Sequence, residues 1–133
     1  MSTNHFAEAS SPEQQVTCVM SAYIEVTNQA DGQRARTLFH PNAVVSGDGL
    51  FGVQTGTPEP FFEALESALK RPSETGYKAR VQSVRVFGNT AIGEVVEENL
   101  LGYDFTNHFH LLQTDGGWLI VSKLYRATAT NSR

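Results

Sequence analysis

The spacing of apolar residues in the first half of the chain is that of helices. Val16, Met20 and Tyr23 recur at three- and four-residue steps, which form one stripe on an α-helix. Ser11 to Gln14 precede the stripe with a capping serine, a proline and a glutamine at capping-box spacing, so a helix is predicted to begin there. Tyr23 lies within the stripe, and its hydroxyl is therefore expected to point inward and to need a partner.

Two shorter helices are predicted further along the chain. The first begins at Asp31, buries Ala35, Leu38 and Phe39, and ends at Pro41. Residues 43–53 have the β-branched residues and glycines of short strands, and Thr57 then caps the next helix. The apolar side of this third helix is predicted to contain Phe61, Phe62, Leu65, Ala68 and Leu69.

From residue 77 onward the apolar positions favour strands instead. Turn residues at 88–89, 102 and 115–117 divide this half into four strands, predicted at 77–87, 90–101, 103–114 and 118–127. The predicted fold class is α+β, with three N-terminal helices packed on a highly curved antiparallel sheet. Residues 1–10 are expected to form a flexible tail, and 11–133 a single domain.

Composition and charge exclude several classes of function. The formal net charge of −4 and the ten scattered basic residues give no nucleic-acid-binding surface. No apolar run is long enough to span a membrane, and the N-terminus lacks a signal sequence, so a cytoplasmic protein is expected. The glycines show no phosphate-binding spacing, and there is no nucleophile elbow. No cofactor is expected.

The strand at 105–112 has two chemically different faces, because side chains alternate. One face contains Phe105, Asn107, Phe109 and Leu111. The other face contains Thr106, His108, His110 and Leu112. The two histidines would bind a metal if Glu97 or Glu98 supplied a third ligand, but a polar or subunit-facing pair is favoured and no metal site is assigned.

Two further segments complete the pattern: LFHPNAVVSGDG at 38–49 and FTNHFHLLQTDGGWLIVSKLY at 105–125. In this order of elements they resemble the nuclear transport factor 2-like superfamily of cone-shaped domains. The second segment is especially similar to its lumazine-binding-like branch, and polyketide-cyclase-like and ketosteroid-isomerase-like proteins share the cone. The resemblance implies a pocket between sheet and helices, and often a homodimer through the outer sheet face.

The resemblance also assigns the two faces of the last strands. Phe105, Asn107, Phe109 and Leu111 would face the pocket, and pairing the final strand in phase would add Ile120, Ser122 and Leu124 to them. The outer, dimer-forming face would contain Thr106, His108, His110, Lys123 and Tyr125.

Set against the steroid-isomerase pattern, Tyr23 and Asn107 match two donors that stabilise a developing enolate oxygen. The position of the family's general base falls on Gly47, with Asp48 one residue later and directed to the opposite face of a regular strand. His40, before Pro41, is a second candidate for moving the proton.

Three functions follow from these residues. The leading prediction is a binding protein for a small apolar or aromatic molecule, held by Tyr23, Asn107 and Ser122 and walled by Phe105, Phe109, Trp118 and Leu124. The second is a cofactor-independent enzyme for proton transfer next to a carbonyl, in which Tyr23 and Asn107 stabilise the enolate and Asp48 or His40 moves the proton. The third is a dimeric interaction module with a vestigial pocket.

Overall fold

The computed structural model of the chain describes residues 10–49, 52–67 and 76–132. The helices are α1 (Pro12–Asn28), α2 (Gly32–Thr37) and α3 (Glu59–Ser67), with a short 3-10 turn at Thr130–Ser132. The strands are β1 (Phe39–Gly49), β2 (Gly52–Gly56), β3 (Lys78–Phe87), β4 (Thr90–Leu100), β5 (Tyr103–Thr114) and β6 (Gly117–Ala129). Most of the predicted tail, and Ala68 and Leu69 of the predicted third helix, lie outside the described residues.

The predicted start of α1 is confirmed in detail. The Ser11 hydroxyl accepts a hydrogen bond from the Gln14 amide at 3.1 Å, and the Gln14 side chain accepts one from the Ser11 amide at 2.8 Å. The apolar stripe of α1 is buried, including Tyr23. Asp31 caps α2 by accepting from the Arg34 amide at 3.1 Å.

The predicted end of the second helix, at Pro41, is wrong by four residues. Helix α2 stops at Thr37, and Phe39 to Pro41 begin β1 instead. The Leu38 carbonyl accepts a hydrogen bond from the Ile120 amide at 2.8 Å, and Phe39 lies opposite Ile120 in the sheet. A residue before proline also disfavours helical geometry, so His40 extends the chain into the strand.

The six strands form one sheet in the order β2-β1-β6-β5-β4-β3. The predicted meander from β3 to β6 is confirmed, with antiparallel pairing at each hairpin. Strand β1 pairs in parallel with β6, a long-range contact that the order of elements did not reveal. The fold is α+β, and α3 follows β1 and β2 in the chain instead of preceding the sheet with the other two helices. No helix among the described residues has the length and apolarity to cross a membrane.

A β-bulge in β6 reverses the predicted orientation of its second half. Ile120 pairs with Leu111 and Ser122 pairs with His110, which leaves Val121 as an extra residue. One extra residue exchanges the faces of every residue after it. Lys123 is therefore buried, at 5% exposure, and Leu124 is 52% exposed. The prediction that Ser122 and Leu124 face inward, and Lys123 and Tyr125 outward, is wrong.

The inward orientation of Tyr125 depends on a glycine in the neighbouring strand. Gly47 is the partner of Tyr125 across the β1–β6 pair, and a Cβ atom at Gly47 would overlap the Tyr125 ring. The ring thus lies directly over the glycine backbone. Glycine is needed at this position because there is no room for a Cβ atom. The backbone conformation itself would accept other residues.

Replacing this glycine tests the register of β6. We expect Gly47→Ala to lower the free energy of unfolding by about 1–3 kcal/mol, because the Tyr125 ring must move. The measurement is chemical denaturation, with Gly56→Ala as the control, since nothing lies within 4 Å of a Cβ added at Gly56. Equal stabilities of the two variants would contradict the inward placement of Tyr125.

Candidate functional site

Four polar side chains are buried between α1 and the sheet face that it covers, which we call the inner face. Tyr23 and Asn107 have no exposed surface, Glu97 is 1% exposed and Lys123 is 5% exposed. Together with Tyr77, which is half-buried, they form what we call the inner-face site. Polar groups are buried at a cost unless they are paired, so the partners of each one indicate what the site can do.

Glu97 is the centre of a hydrogen-bonded network. Its Oε2 accepts from the Tyr77 hydroxyl at 2.7 Å, and its Oε1 accepts from Asn107 Nδ2 at 2.8 Å. Asn107 Nδ2 also donates to the Val95 carbonyl at 3.2 Å. These bonds hold the carboxyl and amide groups in fixed positions across strands β4 and β5.

Two buried polar atoms in this site have no hydrogen-bond partner among the described residues, Tyr23 Oη and Asn107 Oδ1. The amide of Asn107 cannot be flipped to remedy this, because its oxygen would then face the Val95 carbonyl and the Glu97 carboxyl group. The nearby Thr27 hydroxyl donates to the Tyr23 main-chain carbonyl at 2.8 Å. Each buried polar atom without a partner lowers the free energy of unfolding by about 1–3 kcal/mol. A bound molecule that forms the missing hydrogen bond would offset this loss.

The Lys123 ammonium lies among aromatic rings. Its Nζ atom is 4.3 Å from the centre of the Phe61 ring, with three further ring centres within 6 Å, at 5.2 Å for Tyr125, 5.5 Å for Tyr23 and 5.9 Å for Phe105. Within the described ranges the structure gives Nζ no hydrogen bond or salt bridge. The rings of Phe61, Phe105 and Tyr125 keep part of their surface exposed, so the aromatic wall borders solvent.

Burial changes the ionisation of three groups in the site. Desolvation lowers the pKa of Lys123 to about 8, although the negative charge of Glu97 acts in the opposite direction. Desolvation, followed by repulsion from Glu97, raises the pKa values of Tyr23 and Tyr77. Both phenols therefore stay protonated near neutral pH and act as hydrogen-bond donors.

The predicted walls of the pocket are only partly brought together. Phe105 and Phe109 share the inner face, where Phe109 packs edge-on against Tyr23 at 4.8 Å between ring centres. Trp118 is buried at the far end of β6, and its Nε1 donates to Gln15 at 3.1 Å. It lies five residues before Lys123, roughly 15 Å along the strand, so it packs in the core and does not line the inner-face site.

Ser122 and Leu124, predicted as ligand contacts, are directed away from the inner-face site by the bulge at Val121. Neither predicted proton carrier reaches that site. Asp48 is exposed on the sheet face opposite to Gly47. His40 is half-buried at the start of β1, where its Nδ1 accepts from the Asn42 amide at 3.0 Å. The position expected for a base is Gly47, covered by the Tyr125 ring.

The outer face contains Thr106, His108 and His110 as predicted, since their strand neighbours Asn107 and Phe109 are buried inward. His108 Nε2 lies 3.1 Å from Glu94 Oε2. Glu97, considered as a metal ligand with the histidines, lies on the other face of the sheet. No group of three potential metal ligands occurs in the part of the chain that the structure describes.

Sequence reasoning missed Glu97 and Lys123 as members of the site. A regular hairpin from the Leu100–Tyr103 pair would place Glu97 on the outer face, whereas a register shift between Glu97 and Leu100 pairs Val95 with Asn107 and turns Glu97 to the face of Asn107. The turn residues alone did not signal that shift. No signal existed for Lys123 either, because the bulge at Val121 turns it inward and nothing in the sequence marks Val121 as a bulge residue.

A curved sheet covered by helices, with polar groups buried on its inner face, defines a domain of the cystatin-like, nuclear transport factor 2-like class. The chain belongs to the family described as "Putative lumazine-binding", whose model matches residues 11–126. The resemblance inferred from the sequence is thereby confirmed.

Known proteins support the same assignment. A protein of Cladobotryum sp. named aldolase FrzH is 30% identical over 108 residues, 79% of this chain and 82% of that protein. A nuclear transport factor 2-like protein of unknown function from Shewanella baltica OS155 is 26% identical, with a TM-score of 0.73 over 82% of this chain and 87% of that one. One from Methylobacillus flagellatus KT is 22% identical, with a TM-score of 0.77 over 91% of this chain and 97% of that one.

The lowered pKa of Lys123 makes stability depend on pH. Between about pH 8 and the unfolded pKa of about 10.4, the unfolded chain binds more protons than the folded chain, so folding becomes more favourable as pH rises. We expect the free energy of unfolding to rise between pH 8 and 10 by on the order of 2 kcal/mol more than in Lys123→Met. The measurement is urea denaturation across this range. The exposed Lys78 supplies the control, Lys78→Met, which should keep the rise; a rise retained in Lys123→Met would contradict the burial of this amine.

Proposed function

We propose that the chain binds a small, largely apolar or aromatic molecule on the inner face of the sheet. The observation that supports this most directly is the pair of buried atoms without partners, Tyr23 Oη and Asn107 Oδ1. Around them the aromatic surface of Phe61, Phe105 and Tyr125 is available for a flat ligand. Such apolar walls with a few placed polar groups are typical of small-molecule sites.

The two atoms specify complementary features of the ligand. Tyr23 Oη is a donor, because its raised pKa keeps it protonated, and it needs an acceptor such as a carbonyl oxygen. Asn107 Oδ1 is an acceptor and needs an N–H or O–H group. Lumazine, named in the family description, is a bicyclic heteroaromatic compound with both kinds of group. Aromatic aldehydes and ketones meet the Tyr23 requirement alone.

The Tyr23 hydroxyl gives the sharpest test. Tyr23→Phe removes a buried group that has no partner, so the unliganded variant should be as stable as the wild type or more stable. The same variant should bind lumazine or 2-naphthaldehyde about 3- to 10-fold more weakly, as measured by fluorescence titration, because the ligand loses one hydrogen bond. Asn107→Leu should weaken lumazine binding similarly.

Tyr103→Phe is the matched control, since Tyr103 is a partly buried tyrosine that lies four residues before Asn107 in β5, roughly 13 Å along the strand. It should leave both affinities unchanged. Unchanged affinities in Tyr23→Phe and Asn107→Leu would remove both residues as anchors. Loss of stability in Tyr23→Phe would instead indicate that a bound water already satisfies the hydroxyl.

A cofactor-independent reaction next to a carbonyl is the second candidate. The relative named as an aldolase supports it, together with the Glu97 carboxyl group, which lies beside Asn107. The donor role predicted for Asn107 is lost, because both N–H groups of its amide are bonded and only its oxygen is free. In this proposal Tyr23 would donate to the developing oxyanion, Asn107 would accept from another group of the substrate, and Glu97 replaces Asp48 and His40 as the group that moves the proton.

We also propose that the outer face forms a homodimer. After the bulge, Leu124 joins Val44 and Ile92 as apolar side chains that are 52%, 44% and 38% exposed, beside His108 and His110. Their strands are adjacent, so these residues form one patch on the sheet. Lys123 and Tyr125, predicted for this interface, are excluded because they face inward.

Leu124→Glu should convert the dimer to a monomer, because a charge would be buried between the two copies. The measurement is light scattering coupled to size exclusion. Val53→Glu, at a residue that is 85% exposed on the edge strand β2, should leave the dimer intact. A monomeric wild type would contradict the proposal.

A further inference from the structure

Lys123 differs in its surroundings from Lys78, the other lysine among the described residues. Of the three lysines, Lys70 lies outside the described residues, and Lys78 is exposed on β3. The Lys123 amine is buried in cation–π contacts with aromatic rings and donates no hydrogen bond to the described residues. It thus lacks the carboxylate or carbonyl partner that a buried lysine normally has.

We propose that Lys123 Nζ is a nucleophile that forms an imine with an aldehyde or ketone bound at the inner-face site. The inference rests on the proposed ligand binding and names its substrate class. Its basis is geometric. The amine lies 5.5 Å from the centre of the Tyr23 ring, whose hydroxyl needs an acceptor, and 4.3 Å from the centre of the partly exposed Phe61 ring. The amine and the Tyr23 hydroxyl thus belong to one cluster of rings, and in this proposal a carbonyl compound bound there accepts from Tyr23 Oη and is attacked by Lys123 Nζ.

The reaction conserves atoms and needs no oxidant or reductant. The nitrogen lone pair attacks the carbonyl carbon, a C–N bond forms, and the C=O π bond breaks. The former carbonyl oxygen takes up the two protons released from nitrogen and leaves as water, which gives the imine. A proton from solvent converts the imine to the iminium ion. Hydrolysis reverses each step.

The neighbouring groups suit these proton transfers. The Tyr23 hydroxyl is a donor toward the carbonyl oxygen, and the Glu97 carboxyl group, bonded to Tyr77 and Asn107, can accept and return a proton. The titratable groups that face the amine are Tyr23 from α1, Tyr125 from β6 and Glu97 from β4, which is bonded to Tyr77. Desolvation, which lowers the pKa of Lys123 to about 8, increases the share of reactive neutral amine near neutral pH.

Reductive trapping tests the proposal. The protein is incubated near neutral pH with 2-naphthaldehyde and sodium cyanoborohydride, which reduces an iminium ion to a stable secondary amine, and adducts are located by peptide mass spectrometry. We expect the adduct on Lys123 to form about tenfold or more faster than on Lys78. Lys78→Met should keep the fast adduct, and Lys123→Met should lose it.

Binding of the same aldehyde without the reductant, followed by fluorescence, separates the two proposals. Binding that is weakened in Tyr23→Phe, together with equal adduct rates at Lys78 and Lys123, would overturn the imine and retain the binding site. Absence of both binding and the fast adduct would overturn both. Lys123→Arg, which keeps the charge, replaces Lys123→Met where circular dichroism shows that the latter is unfolded. The adduct rates within the wild-type chain decide the question without either variant.

Discussion

The inner-face site depends on one extra residue in β6. Up to Ile120 the strand places its apolar side chains on the core side, and after Val121 the same side receives Lys123 and Tyr125. Because β6 pairs with β5 on one edge and β1 on the other, the shifted register is fixed from both sides. Gly47 in β1 leaves the room that the Tyr125 ring occupies. The bulge therefore decides which residues form the site.

Only some of the buried polar groups of this site have hydrogen-bond partners. Glu97 and the Asn107 amide nitrogen have short hydrogen bonds, which hold them rigidly. The Tyr23 hydroxyl and the Asn107 oxygen have none among the described residues. A sequence selected for stability alone would replace such groups with apolar ones, so their concentration on one aromatic surface favours a functional explanation. The same reasoning applies to Lys123, whose burial lowers its pKa.

Family membership establishes the fold of this chain and leaves its chemistry to the individual residues. The chain has the tyrosine and an amide at the donor positions of the steroid-isomerase pattern, but glycine at the position of the base. The space above that glycine is filled by the Tyr125 ring. Any proton transfer must therefore use other groups, and Glu97 and Lys123 are the buried carboxyl and amine groups that the structure brings to this face.

The sequence by itself determined the elements, because their signals are local: the capping box at Ser11, the stripe that buries Tyr23 and the turns that separate β3 to β6. It also determined that Asn107 is buried, since alternation along β5 is regular there. Tertiary structure alone decided the rest. The parallel pairing of β1 with β6 joins distant segments, and the bulge at Val121 is a feature of how β6 pairs with β5, which no local pattern in β6 encodes. For that reason Lys123 was predicted on the outside, while the folded chain buries it beside Tyr23.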